Sequence, residues 1–282
     1  MINVIVFTKD RPMQLDLLLE SIQDHIITKP TPFVQILAKI TSDNYRAGYE
    51  ITKERYSNYT LIEEMPHQSF KGQLNKLLSG AIYPYTLCFL DDDVVINSVD
   101  MLQVFKGMKM NYINAFSLRM GKNITYCYPK AQEMVQPSFN SFSNNTMMWD
   151  WTEYNPSLDW GYPMSVGGNV YRTDDFKILC TELDYDGPNY LEGYMHIFRP
   201  TNSRPIQVSF TEKKVYNVAN NLVQEVSPNR FEGNTENDVS ILNAKYLDGK
   251  KIDKYRLYGR VFNSANGPAE YKIKKRESKH GI

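Results

Sequence analysis

Three adjacent carboxylates, Asp91, Asp92 and Asp93, follow directly on the apolar run from Tyr85 to Leu90. Left together without a cation they repel one another strongly, and a hard divalent ion relieves that repulsion. Alternate side chains of an extended segment point the same way, which turns Asp91 and Asp93 toward one cavity and Asp92 aside. Such a site suits Mg2+ or Mn2+, held by one or two carboxylates and completed by substrate phosphate oxygens. The competing reading is a solvated strand-to-loop turn. A second Asp-x-Asp pair, Asp184 and Asp186, lies in a polar turn after a predicted helix and is the weaker candidate.

The elements that must position the triplet alternate between two periods. Ile2 to Phe7 reads as a buried strand, Leu15, Leu18, Leu19 and Ile22 recur at helical spacing, and a second strand runs from Phe33 to Ile40. A helical stretch around Tyr45 to Tyr56, a strand from Thr60 to Met65 and a helix from Phe70 to Ala81 then precede the strand that ends at Leu90. This α/β pattern implies a mostly parallel sheet covered on both faces, with ligands bound at the carboxyl ends of its strands. Beyond Ile96 the periodicity weakens, which predicts an irregular second half with helices near Asp174 to Leu183 and Val239 to Leu247. The organisation expected is a nucleotide-binding half over 1–96, an acceptor-binding and catalytic half of the same domain over 97–262, and a basic, flexible tail over 263–282. The tail's basic cluster, Lys272 to Lys279, reads as solvated, with membrane contact at most peripheral.

Composition excludes several classes. The 282 residues carry 32 basic and 32 acidic side chains, whereas a general nucleic-acid binder carries a basic excess. A hydrophobic content of 42% is that of a folded domain. Cys88, Cys127 and Cys180 lack paired spacing, so neither a disulfide framework nor a zinc knuckle is expected. No apolar run reaches the roughly 18 to 20 residues of a membrane span, and the short run before Thr8 is no signal peptide, so a cytoplasmic protein is expected.

Five segments in one order resemble the inverting glycosyltransferases of family 2. They are Thr8-Lys9-Asp10-Arg11 with the Leu-rich helix after it, Ser42-Asp43-Asn44, Lys71 to Asn75, Phe89 to Asp93, and the Gly167-Gly168 segment ending in Arg172. Glu192 follows at the distance of that family's acidic catalytic motif, although Gly193 stands where a second acidic residue is usual. The resemblance implies a GT-A type, Rossmann-like nucleotide-sugar-binding sheet, a nucleoside-diphosphate sugar donor, Mn2+ or Mg2+, and inverting hexosyl transfer to a hydroxyl of a glycan or glycoside. The donor would be held by Thr8, Asp10, Arg11, Asp43, Lys71, Asp91 and Asp92. Asp91 and Asp93 would ligate the metal, with His196, four residues after Glu192 on the same helical face, as a third ligand. The arginine-tryptophan signature of processive synthases is absent.

Such a transfer needs charge neutralisation at the departing diphosphate, for which Lys71, Arg11 or Arg172 are further donors, and one general base, for which Glu192 is the candidate. Trp149, Asp150, Trp151, Trp160 and Tyr162 crowd one Pro- and Asn-rich stretch, which suits stacking on acceptor sugars; equally, the stretch packs on itself and Asp150 caps a turn. Asn217, Asn220 and Asn221 are assigned to compositional bias. Two rival functions are a nucleotidyltransferase acting on a sugar phosphate and a catalytically silent carbohydrate-binding protein. The first normally has a glycine-rich loop where Thr8 to Pro12 has no glycine, and the second does not require Asp93 and Glu192 together.

Overall fold

Asn3–Lys9 is buried along almost its whole length and forms β1, the middle of a parallel set with β2 (Phe33–Lys39), β3 (Thr60–Glu63) and β4 (Tyr85–Leu90). The computed structural model describes residues 1–198, 204–226 and 229–277. Crossovers between these strands are α1 (Pro12–His25), α2 (Asp43–Arg55) and α3 (Phe70–Ser79). Pro12 opens α1, where its missing N–H costs nothing, and Leu15, Leu18, Leu19 and Ile22 are buried against the strands. Ser69 caps α3 by accepting from the Gly72 N–H. These elements match the sequence periodicity to within two residues at most of their ends.

The second half is more regular than its sequence suggests. It contains β5 (Asp93–Val95), α4 (Met101–Met108), β6 (Ile113–Ser117), β7 (Tyr126–Cys127), β8 (Gln132–Glu133), β9 (Asn140–Ser143), β10 (Thr146–Asp150) and β11 (Asn169–Arg172). After these come α5 (Thr173–Glu182), α6 (Pro188–Ile197), β12 (Ile206–Phe210), β13 (Val215–Val218), α7 (Val239–Leu247), β14 (Lys250–Ile252), β15 (Asn266–Gly267) and β16 (Ile273–Lys275). Five of the strands extend the parallel set into one mixed sheet of order β3-β2-β1-β4-β11-β6-β12-β10-β9, in which β11 runs antiparallel to both β4 and β6. The strands escape a period-2 reading because they are short and, like β6, buried on both faces.

Two further expectations are corrected. Residues 263–277 are not a loose tail: β15 pairs with β13, β16 pairs with β14, and Ser264, Ala265, Gly267 and Ala269 are buried. Small residues and backbone hydrogen bonds, rather than an apolar period, anchor the segment; residues 278–282, with Lys279, lie outside the described residues. The tryptophans are core rather than platform. Trp149, Trp151 and Trp160 are each at most 2% exposed; Trp149 Nε1 donates to the Trp160 carbonyl at 3.1 Å, and Trp151 Nε1 to the Arg204 carbonyl at 3.0 Å. Asp150 caps the following turn through Thr152 N at 2.9 Å. No helix among the described residues is long and apolar enough to cross a membrane. Trp160→Ala is expected to destabilise the fold by about 3–5 kcal/mol in urea unfolding, as loss of a large core side chain does; a cost under about 1 kcal/mol would place the ring at a surface.

Candidate functional site

The carboxyl ends of β1 and β4 open on a cavity of about 420 Å3 whose wall includes Thr8, Arg11, the three aspartates, Arg119, Glu192 and Asn217. The acidic triplet is not one extended segment. The chain turns at Asp91 and Asp92, and β5 then leaves the main sheet to pair with β13, setting Asp93 opposite Asn217. The alternation expected from sequence is therefore broken, and Asp92 does not point aside.

Each carboxylate has its own partners. Asp91 accepts from Arg11 Nη1 at 2.9 Å and from the Lys9 N–H at 2.9 Å. Asp92 accepts from the same Nη1 at 2.8 Å and from Asn217 Nδ2 at 2.6 Å. Asp93 accepts from the Leu90 N–H at 2.8 Å and from Asn217 Nδ2 at 3.0 Å. Arg11 is buried, and its Nη2 donates to the Asn221 carbonyl at 2.7 Å. Burial raises the Asp91 carboxyl to about 6, with Arg11 opposing and Asp92 adding. Burial, with Asp92 adding, raises Asp93 to about 8 against the Leu90 and Asn217 hydrogen bonds.

A hard cation fits this wall as an open site. Arg11 Nη1 bridges Asp91 and Asp92, Asp91 also accepts from the Lys9 N–H, and Asp92 and Asp93 converge on one amide, which leaves Asp93 as the carboxylate without a cation partner among these bonds. Gly167 faces Asp93, where an added Cβ would lie 3.1 Å from Oδ2, so a side chain there would crowd that carboxylate. Two carboxylates suffice for an ion that keeps phosphate and water ligands. Among the described residues no group of three His, Cys, Asp or Glu side chains could enclose one. His196 packs against Tyr162 with the rings tilted by 31° and centroids 4.2 Å apart, and is not part of the cavity wall. It shares α6 with Glu192 but is not brought to the aspartates.

Glu192, on α6, is fixed by the segment before β11: Oε2 accepts from the Val166 N–H at 2.7 Å and from Ser165 Oγ at 2.9 Å. Tyr162 lies beside it; burial first, then Glu192, holds the phenol well above its ordinary range. Arg119 donates to Asp159 at 2.7 Å and is close enough to Glu192 and Asp93 to feel both charges.

The remaining sequence candidates separate. Thr8 lines the cavity, its hydroxyl 2.6 Å from that of Tyr49. Asp10 adopts φ 55°, a left-handed conformation that Asp tolerates, and accepts from Thr41 N and Oγ1, pinning the loop after β2 rather than lining the cavity. Asp43 is exposed at the start of α2, and Lys71 is half-buried on α3; neither lines the cavity, although Phe70 does. Arg172 pairs with Tyr85, at the opposite end of β4, and donates to the Ile113 and Met110 carbonyls. Of the second acidic pair, Asp186 lines the cavity. Sequence reasoning passed over Lys9, Arg119, Asn217 and Asn221. Asn217 lies 125 positions from Asp92, and only its place in a short apolar run, Val215–Val218, set it apart from the other asparagines.

No family model matches the chain. It is similar to the bifunctional glycosyltransferase pgtA of Dictyostelium discoideum, with 23% identity over 230 residues, covering 76% of this chain and 29% of that protein. It thus spans under a third of that relative's length. Among solved structures it is similar to S. aureus TarS 1-349 in complex with UDP-GlcNAc, with 15% identity, a TM-score of 0.46, and coverage of 76% of this chain and 57% of that one. It is also similar to the mannosyltransferase PcManGT from Pyrobaculum calidifontis in complex with GDP-Man and Mn2+, with 17% identity, a TM-score of 0.36, and coverage of 45% and 41%.

The Asp93 environment sets a pH dependence. Its carboxyl holds a proton more tightly folded than unfolded, so in metal-free protein its contribution to stability is present below about pH 4 and lost as pH rises through 8. Asp93→Asn, neutral throughout, is expected to flatten stability against pH across that window in urea titrations. An unchanged slope would mean that the parent carboxyl is ionised at neutral pH.

Proposed function

We propose that the cavity binds a nucleoside-diphosphate sugar and that the chain is an inverting, metal-dependent glycosyltransferase acting on a hydroxyl of a glycan or glycoside. One observation carries this reading: Asp93 and Glu192 meet the same three-residue segment, Asp93 against Gly167 and Glu192 on Ser165 and Val166, inside one cavity. Its volume is in the range of small-ligand sites. The similarity to pgtA agrees with transferase activity, and the motif residues that line the cavity, Thr8, Arg11, Asp91 to Asp93 and Gly167, agree with a nucleotide-sugar donor.

Asp92 and Asp93 would hold Mn2+ or Mg2+, which when bound supplies Lewis-acid stabilisation of the diphosphate. Arg11 keeps the carboxylates in place, and Thr8 lines the cavity beside it. Arg119 adds fixed positive charge to the cavity wall. Glu192, oriented through Oε2, accepts the proton of the acceptor hydroxyl as its oxygen bonds to the anomeric carbon. The bond from that carbon to the diphosphate breaks, and the nucleoside diphosphate leaves with the electron pair. A single carboxylate acting as base corresponds to inversion, since a retaining path uses a second as nucleophile. The nucleotidyltransferase reading leaves Glu192 without a role, and a silent binding protein has no need of a carboxylate anchored by two hydrogen bonds.

A thermal-shift panel of UDP, GDP, CDP and dTDP, each with and without Mn2+, tests the donor reading. One diphosphate is expected to stabilise the protein in a metal-dependent way, by about 2.7 kcal/mol at 100 times its dissociation constant. No response to any of the four contradicts it. With a matched donor and acceptor, Glu192→Gln is expected to lower turnover by roughly 10²-fold or more while donor affinity holds; normal turnover would place the base elsewhere.

A further inference from the structure

The buried tryptophans leave the proposed acceptor without its expected platform, yet two other aromatic rings meet solvent at the cavity. Tyr190, in the first turn of α6, is 43% exposed, and Phe231 is 41% exposed; both line the cavity that contains Glu192. Asp186 and Asn189 line it beside Tyr190 and offer polar atoms for hydroxyl groups. Exposed rings combined with convergent hydrogen-bonding groups are what a pyranose needs, because its C–H face is apolar and its rim is polar. Tyr194, one turn further along α6, is 38% exposed but does not line the cavity. Exposure alone therefore does not mark Tyr190; its place at the cavity does.

We infer that Tyr190 and Phe231 form an aromatic subsite on which a sugar ring of a carbohydrate acceptor stacks, bringing its hydroxyl toward Glu192. The inference rests on the transferase reading and specifies its acceptor side: a glycan presenting a flat apolar sugar face, rather than a lipid alcohol or a protein hydroxyl. Tyr190 and Glu192 both line the cavity from α6, so the helix backbone fixes the spacing between the ring and the proposed base.

The test overlays fluorescently labelled full-length protein on an array of immobilised oligosaccharides, in the presence of Mn2+ and the nucleoside diphosphate that stabilises the parent. The parent is expected to be retained on a subset of glycans. Tyr190→Ala and Phe231→Ala are expected to lower apparent affinity for that subset about tenfold, Tyr190→Phe to retain it, and Tyr194→Ala to match the parent. Retention of Tyr190→Ala at the parent level, an equal loss in Tyr194→Ala, or a parent retained on no glycan overturns the subsite. Nucleotide binding on the same preparations separates the two claims: its absence in the parent removes the transferase reading, whereas its presence alongside a failed array removes the subsite alone.

Discussion

Crowding three consecutive carboxylates into one turn, with Asp91 and Asp93 buried and Asp92 half-buried, is the constraint on which the site depends. Desolvation penalises every charge at the β4–β5 turn, and the chain answers with one cation, two strand-end N–H groups and one amide. The cation is Arg11, two residues beyond β1, and the N–H groups belong to Lys9 and Leu90, the last residues of β1 and β4. The parallel pairing of β1 with β4 thus decides whether the aspartates are neutralised at all. A buried guanidinium bridging two carboxylates also fixes the loop above it, since Arg11 Nη2 holds the Asn221 carbonyl and Lys9 Nζ holds that of Val223 at 2.7 Å.

The rest of the site comes from far along the chain. The β5–β13 pairing supplies Asn217, and the Val218 N–H holds the Asp92 carbonyl at 2.8 Å, so backbone and side chain position Asp92 from the same strand. The segment before β11 brings Glu192, the proposed base. Gly168, at φ 70°, donates to the Cys88 carbonyl and accepts from the Leu118 N–H, which lays Ser165 to Gly167 across the ends of β4 and β6. A side chain at Gly168 would be strained in that left-handed conformation. Glu192 then needs only two hydrogen bonds to be registered against the aspartates.

What was legible in the sequence follows from how local each signal is. The βα units of the first half announce themselves because each strand and helix keeps its own apolar pattern over four to fourteen residues, and the triplet is visible because it ends one of them. Glu192 is proposed from its distance to the Gly167-Gly168 segment, and it hydrogen-bonds Ser165 and Val166 just before that segment. The second half failed where burial is two-sided or contacts are long-range. Strand β6 shows no alternation, and Asn217 looks like any other asparagine until β13 pairs with β5. Arg172 ends a strand antiparallel to β4, and strand direction cannot be read from a motif; the reversal carries it away from the site. The tryptophans were ambiguous for a chemical reason, since a ring that stacks on sugar and one that fills a core have the same composition, and it is their burial, with the indole N–H bonds of Trp149 and Trp151 to backbone carbonyls, that separates them.

The central claim is that Arg11 holds the acidic turn together. A double-mutant cycle on unfolding free energy, with Arg11→Met, Asp91→Asn and the pair combined, measures it most directly. Removing one partner of a buried ion pair costs about 3–5 kcal/mol, whereas removing both leaves no stranded charge between them. The double variant is therefore expected to lose less than the sum of the single losses by about 1.5 kcal/mol or more. Additivity to within about 0.5 kcal/mol would contradict the account, because it would mean that the buried guanidinium and Asp91 contribute independently.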